Sequence, residues 1–484
     1  MPKSAHRSRP VVSGLALWMQ EVLRQAEKAA DGFHADPVHD LRVAIRRCRS
    51  IAEGLRAIDP DPRWKKMRRS AKELFSSLGR LRDAQVMMEW IAKLLPADDP
   101  AAKALLAYCQ TQEQSFKQEA ARVLDSFDRK QWQVWAGVLP QRASRVQSRR
   151  EPFEALALER WTQARSLHNR AMRTGRIAPL HRLRIAIKKF RYVVENFLPE
   201  RHQQWSEGLK HFQDLLGEIQ DLTVLWDTVT RIGAVDDPET RGRWEQLVLG
   251  ERAARIERYK HETAGEDSLW QVWRAGLPRG QQAKAAALKK LQTWASFLDP
   301  DVRHSRHVAR LALQIHQGLL RLGVLGLDAK RSRELLIAAT SVIGVGRSSR
   351  GKDRPKRGER MIKRVEKPFS WKQRDLDVIA AIARFHRGSL PARGRGSLRG
   401  FTRPVRRLVQ RLAGIARLAN ALDADHDGSV RRISISRSGE ALVISADGLD
   451  PQSALAEKIA AGRYLLELSL ARPIFVRPKA GRRR

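Results

Sequence analysis

Residues 38–50, VHDLRVAIRRCRS, and residues 180–192, LHRLRIAIKKFRY, are one amphipathic helix written twice. Aligning His39 with His181 pairs Leu41 with Leu183, Arg42 with Arg184, Ala44 with Ala186, Ile45 with Ile187, Arg49 with Arg191 and Glu53 with Glu195. Arg46 and Arg47 then face Lys188 and Lys189, and Pro37 faces Pro179. Further on, LGRLRDAQV (78–86) matches LGEIQDLTV (216–224), bringing Asp83 level with Asp221. Two segments repeated in the same order imply a duplicated helical unit, which confines the fold to two copies of one bundle.

At about 100° per residue, His39, Arg42, Arg46, Arg49 and Glu53 fall within about 80° of one another. Leu41, Ala44, Ile45, Cys48, Ile51, Ala52 and Leu55 form the opposite, packed side. The second copy packs Leu183, Ile187, Phe190, Val194 and Phe197. Pro37 and Pro179 suit a first helical position, and Asp36 a cap. Ordinary exposed faces mix signs, because like charges four residues apart repel. Here Arg42–Arg46 recurs as Arg184–Lys188, a repulsion relieved when an anion bridges the cations. Arginine's planar fork suits phosphate oxygens, and lysine adds a point charge. His39 and His181 read equally as phosphate contacts or helix-terminus structure. Glu53 and Glu195 are expected to orient Arg49 and Arg191, and Asp83 to hold an arginine. Residues 61–85 add Lys65, Lys66, Arg69, Lys72 and Arg82, whereas the counterpart at 208–221 is less basic.

Charge sharpens this reading. Against 53 Asp and Glu stand 92 Lys and Arg, a formal net charge of +39 over 484 residues, so the partner is a polyanion: nucleic acid, anionic lipid or another polymer. Two distant cysteines, Cys48 and Cys109, form neither a disulfide framework nor a metal motif and suit a reducing cytosol. The N-terminus reads as an amphipathic helix rather than a leader, because Gln20 and Glu21 interrupt its apolar stretch. The longest uncharged apolar run, 335–346, is too short to span a bilayer, so a soluble protein with no membrane partner is expected. Helical periodicity fills 12–275, with breaks at 59–63, 96–102, 174–179 and 234–242. The main boundary is expected at 275–284. A second helical region follows, then a hairpin at 430–448 around a Ser-Gly turn and a short strand at 473–478. Trp18, Trp90 and Trp161 lie in apolar patterns and read as core. The fold class is mainly α, with a small β-sheet near the C-terminus.

HDLRVAIRRCRS, LGRLRD, LHRLRIAIKKFRY and LLGEIQD together resemble the paired motifs of the CHAD domain, over roughly residues 12–275. The resemblance implies two helical bundles related by pseudo-twofold symmetry around a basic groove. It implies inorganic polyphosphate as ligand, and association with cytoplasmic polyphosphate granules. On this resemblance His39, Arg42, Arg46, Arg49, His181, Arg184, Lys188 and Arg191 line the groove. Arg47, Lys65, Lys66, Arg69, Arg82 and Lys189 complete the candidate set. Arg82 matches a basic position of the family, whereas Gln220 departs from it. The expected domains are 12–277, as repeats of about 12–150 and 151–277, then 285–478, with a basic, disordered tail at 479–484.

Residues 287–470 resemble the C-terminal helical domain of the exopolyphosphatase/guanosine-pentaphosphatase family, related to HD-type metal phosphohydrolases. Those enzymes need a His-Asp pair to hold a water-activating metal. The corresponding position here is Ile343-Gly344, with Asn420 at a terminal Asp position and Lys356-Arg357 at a Lys-His position. A degenerate domain without metal or cofactor is therefore expected, with His304, His307 and His386 structural or anion-contacting. Basic, glycine-punctuated loops at 347–360 and 384–407 suit phosphate, or are plain surface. No ExExK strand motif or P-loop is present, so the chain reads as a non-enzymatic polyphosphate binder. The alternatives are a general nucleic-acid-binding protein and a phosphohydrolase accessory subunit. Aromatic residues at 6% offer few stacking platforms for single strands.

Overall fold

The computed structural model describes residues 11–96, 98–146, 149–348, 354–369, 371–391, 396–450 and 455–479. Residues 480–484 of the basic tail, 349–353 of the first basic loop and 392–395 of the second lie outside them. The chain divides into two compact units, Met1–Gln282 and Ala283–Arg484.

The first unit is helical throughout its described residues. Its first half runs α1 (Val11–Ala30), α2 (Ala35–Arg56), α3 (Pro62–Leu94), α4 (Pro100–Asp125) and α5 (Arg129–Ser144). Its second half runs α6 (Glu151–Thr174), α7 (Ile177–Phe197), α8 (Pro199–Arg231), α9 (Pro238–Trp244), a π-helical turn (Glu245–Leu249), α10 (Gly250–Thr263) and α11 (Leu269–Ala275). The duplication is visible in the packing: α1 lies on α2 and α2 on α3, as α6 lies on α7 and α7 on α8. The helices stop where the prolines and aspartates dictate. Asp61, Asp99 and Asp237 each accept a backbone N–H in the first turn of α3, α4 and α9, followed by a proline that needs no donor. α2 and α7 behave differently. They begin at Ala35 and Ile177, so Pro37 and Pro179 stand at the third helical position, and no side chain caps α2.

Each half carries its own aromatic core: Trp64, Trp132 and Trp135 in the first, and Phe190, Phe212, Tyr259, Trp270 and Trp273 in the second. A third cluster, including Trp90, Leu105, Leu222, Leu225 and Trp244, joins α3 and α4 to α8. Trp90 is thus core, whereas Trp18 and Trp161 are half-buried. The halves also meet directly through α2 and α7. A Cβ at Gly54 would stand 2.2 Å from the Phe197 ring, so only glycine admits that contact, and Phe197 in turn stacks on Phe153 at 4.1 Å.

The second unit holds α12 (Gly280–Ser296), most of which lies within it, α13 (Val302–Arg321), α14 (Ala329–Thr340), α15 (Arg354–Lys363), α16 (Gln373–Phe385), α17 (Arg403–Ala421) and α18 (Leu455–Leu470). β1 (Arg432–Ser438) pairs antiparallel with β2 (Ala441–Asp447) around Gly439, whose φ of +56° favours glycine. β3 (Ile474–Pro478) adds in parallel to β2. α17 and α18 cross closely because Gly414 and Gly462 leave room for Leu466 and Ala421.

Candidate cationic groove

α2 and α7 present the repeated cations. His39, Arg46 and His181 are exposed, while Arg42, Arg49, Arg184, Lys188 and Arg191 are half-buried. Each row leans on the helix that follows it. The Arg42 guanidinium donates to the Phe75 carbonyl at 3.3 Å and lies 5.0 Å from the Phe75 ring centre; Arg49 covers the same ring at 4.6 Å. Cation–π contact and a neighbouring carbonyl hold these arginines without neutralising them. Arg42 reaches this position over Gly79, where a Cβ would stand 2.9 Å from its Nη1. A Cβ at the equivalent Gly217 would stand 4.0 Å from Arg184 Nε. The glycine of the repeated Leu-Gly pair is therefore the floor beneath an arginine, a role its recurrence in both copies could have signalled.

The two rows converge. Lys188 is surrounded by its neighbour Arg184 and by Arg46 and Arg42 of the other half. Burial chiefly, then these like charges, push its ammonium down to about 8, and Asp221 offsets only part. Asp83 faces Arg42 and Arg82 of its own half and Arg184 and Lys188 of the other, yet burial lifts its carboxyl above the usual range. Asp221 is lifted too, chiefly by burial, with the negative charge of Asp83 adding to it. Asp83 nevertheless keeps part of its surface open to water. Burial likewise pulls Arg42 and Arg49 down, though guanidinium remains a cation.

Donors remain to spare. Arg49 Nη1, Arg184 Nε and Arg191 Nε are buried with no acceptor among the described residues. Buried N–H groups are ordinarily paired, and these three belong to the two symmetry-related rows, although Arg47, Arg68, Arg165 and Arg201 outside the rows carry unpartnered nitrogens too.

Other expected members are placed differently. Arg47 turns away from the row and pairs with Glu195 of α7, across the two halves, while lying 5.7 Å from the Trp18 ring. Its counterpart Lys189 is half-buried on the equivalent side of α7. Glu53 pairs with Arg68, not Arg49, and Glu195 reaches Arg191 only at 4.0 Å. Lys65, Arg69 and Lys72 are exposed on α3, on the side of Gly79, but Lys66 lies about 140° around the helix from that glycine. Arg82 bonds Glu89 at 3.0 Å. His181 Nδ1 is 2.7 Å from Gln220 Oε1, so the departure from the basic pattern at 220 supplies a histidine partner instead.

In the second unit one of the three histidines read from sequence, His304, meets a carboxylate, whereas His307 meets Arg310 and His386 the Ala383 carbonyl. His304 Nδ1 is 2.7 Å from Asp423 Oδ2, its Nε2 is 3.2 Å from Asn420 Oδ1, and its ring stacks at 3.7 Å on His426. His426 in turn meets Asp301 at 2.6 Å. His307 accepts from Arg310 at 2.9 Å. Gly344 packs on Asp299, where any Cβ would collide with the carboxylate. Among the described residues no group of three or more His, Cys, Asp or Glu side chains is arranged to hold a metal. Nor is any described helix long and apolar enough to cross a membrane.

Residues 15–230 match the family model of the CHAD domain. Among solved structures, the crystal structure of the CHAD domain from the plant Ricinus communis is similar at 21% identity, covering 57% of this chain and 93% of that one, with a TM-score of 0.40. No curated protein sequence matches the chain.

Proposed function

We propose that the CHAD domain formed by residues 15–230 binds inorganic polyphosphate in the groove between α2 and α7, without catalysing its turnover. The observation that carries this reading is the convergence of Arg42 and Arg46 with Arg184 and Lys188, close enough to depress the Lys188 ammonium. Such crowding is unfavourable in the free protein and is relieved by a flexible anion with a charge on every repeat unit. The row from His39 to Arg49 runs about 15 Å, which suits a linear chain of several phosphates rather than one isolated anion. Orphaned guanidinium donors add hydrogen bonds that a phosphate oxygen accepts. Association with polyphosphate granules in the cytoplasm follows as part of the same proposal.

The test is a titration with long-chain polyphosphate, duplex DNA and RNA at low and near-physiological salt, for the wild type and for Arg42→Glu/Arg184→Glu. Tight polyphosphate binding that survives salt and collapses in the double variant supports the groove. Equal, salt-labile binding of all three polymers, indifferent to the variant, means a generic basic surface and removes the assignment.

A further inference from the structure

Within the first unit, the end of α5, the start of α6 and the junction of α7 with α8 enclose a cavity of about 190 Å³. Phe153 and Phe197 line it as a stacked pair, their rings 4.1 Å apart and within 5° of parallel. Ala143, Val146 and Leu198 complete the apolar wall, and all five side chains are buried. An apolar cavity of roughly 150 Å³ is enough for benzene, so this one takes a single ring with room for a small substituent.

The rest of the lining is charged. Arg149, Arg150, Glu200 and Arg201 border the same space, and Arg150 and Glu200 are exposed, which places the mouth on their side. Three arginines thus stand against one carboxylate. Glu200 is taken by Arg150 at 2.6 Å, and Arg150 also bonds Glu154 at 2.7 Å. Arg201 has no carboxylate partner among the described residues. Its Nη1 donates to the neutral Gln204 at 3.2 Å, its guanidinium lies 5.7 Å from the Trp205 ring centre, and its Nε is buried without an acceptor. No side chain caps α8, so the positive end of that helix, whose first residues Pro199, Glu200 and Arg201 border the cavity, adds to the excess.

An apolar chamber the size of one ring, ending at an arginine without a counter-ion, specifies both parts of an occupant. We propose that this cavity binds a small aromatic carboxylate, its ring against Phe153 and Phe197 and its carboxylate at Arg201. The planar guanidinium matches a carboxylate, and the volume left beside a ring admits a group of that size. None of the groove cations lines the cavity, so the site stands or falls separately from the polyphosphate reading.

The experiment uses the full chain carrying Arg42→Glu/Arg184→Glu, which silences the groove, in ligand-observed NMR titrations near pH 7 with benzoate, benzamide and acetate. Benzamide keeps the ring without the charge, and acetate the charge without the ring. The expected result is saturable binding of one benzoate per chain, with benzamide and acetate each weaker by roughly tenfold or more. Adding Arg201→Gln weakens benzoate by a similar factor and leaves benzamide unchanged. Adding Ala143→Leu, which fills the cavity, removes binding of both ring compounds, with circular dichroism showing the fold retained. Where Ala143→Leu does not fold, Arg201→Gln, at a half-buried position, decides alone. Absence of saturable benzoate binding, equal affinity for benzamide or acetate, or indifference to Arg201→Gln overturns the proposal.

Discussion

Arg47 of α2 is ion-paired to Glu195 of α7, so the two halves are joined by a salt bridge that the repeat itself does not duplicate. The symmetry-related carboxylate, Glu53, takes Arg68 from within its own half. In α8 the residue level with Arg68 is Ser206, so Glu195 has no local arginine there and reaches across.

That difference separates a binding cation from a structural one. Arg47→Ala is expected to lower the stability of the first unit by about 1 kcal/mol, the pair being partly shielded from water. It should leave the salt dependence of polyphosphate binding unchanged. Urea melts beside salt-series titrations check both, and a reduced salt slope would return Arg47 to the groove.

Lys188 gives a pH signature. An ammonium depressed to about 8 in the folded state, against 10.5 ordinarily, means the unfolded chain holds more protons between those values. Stability of the first unit should therefore rise as pH climbs from about 8 to 10.5, while polyphosphate affinity falls. Phosphate bound beside Lys188 raises its pKa, so binding near pH 8 takes up protons, visible in calorimetry as a heat that depends on the buffer. Lys188→Met should stabilise the free protein by about 1 kcal/mol, discounted for partial exposure, and weaken the complex.

Two glycines should respond alike in stability and differently in affinity. Gly79→Ala replaces a poor helix former, but its methyl displaces the Arg42 guanidinium, so a gain in helix stability of up to about 1 kcal/mol accompanies weaker polyphosphate binding. Gly217→Ala has room beside Arg184 and should gain stability with affinity unchanged. Equal effects on affinity would mean that Arg42 does not depend on that close approach.

Asp59 is a test of the scaffold alone. It is 1% exposed and takes two hydrogen bonds from Arg142, at 2.6 and 2.7 Å, and one from Trp64 Nε1 at 2.7 Å. Asp59→Ala takes two hydrogen bonds from the partly buried Arg142 cation, which keeps Asp61 at 3.1 Å, and leaves the buried Trp64 indole N–H without its acceptor. It should cost about 3 kcal/mol or more in chemical denaturation.

The duplicated rows were legible in the sequence because helical periodicity and a repeat are local signals. Helix ends at Asp61–Pro62, Asp99–Pro100 and Asp237–Pro238 were legible for the same reason. What stayed hidden depends on contacts between distant segments: Arg47 with Glu195, Glu53 with Arg68, Gly54 beneath Phe197. Lys66 lies on a different side of α3 from Lys65, Arg69 and Lys72, and a basic stretch in sequence does not reveal which side of a long helix each cation takes. Arg347 opens the basic loop 347–360 read from the sequence, but the stretch alone does not show that its guanidinium lacks a partner among the described residues. An arginine near carboxylates reads in sequence as an ordinary ion pair; only hydrogen-bond accounting shows that it is not one.

The halves of the groove are alike in their rows but not in what flanks them: α3 brings Lys65, Arg69 and Lys72, whereas α8 offers Gln203, Glu207 and Lys210 at the matching places. A linear phosphate polymer reads the same from either end, so this imbalance gives it no direction. It gives instead an order in time. If the groove binds polyphosphate as proposed, the exposed flank of Lys65, Arg69 and Lys72 makes the first encounter, and the crowded centre around Lys188 engages the polymer afterwards. Association should then be governed by the α3 flank and dissociation by the central four cations, two rates set by different stretches of one chain.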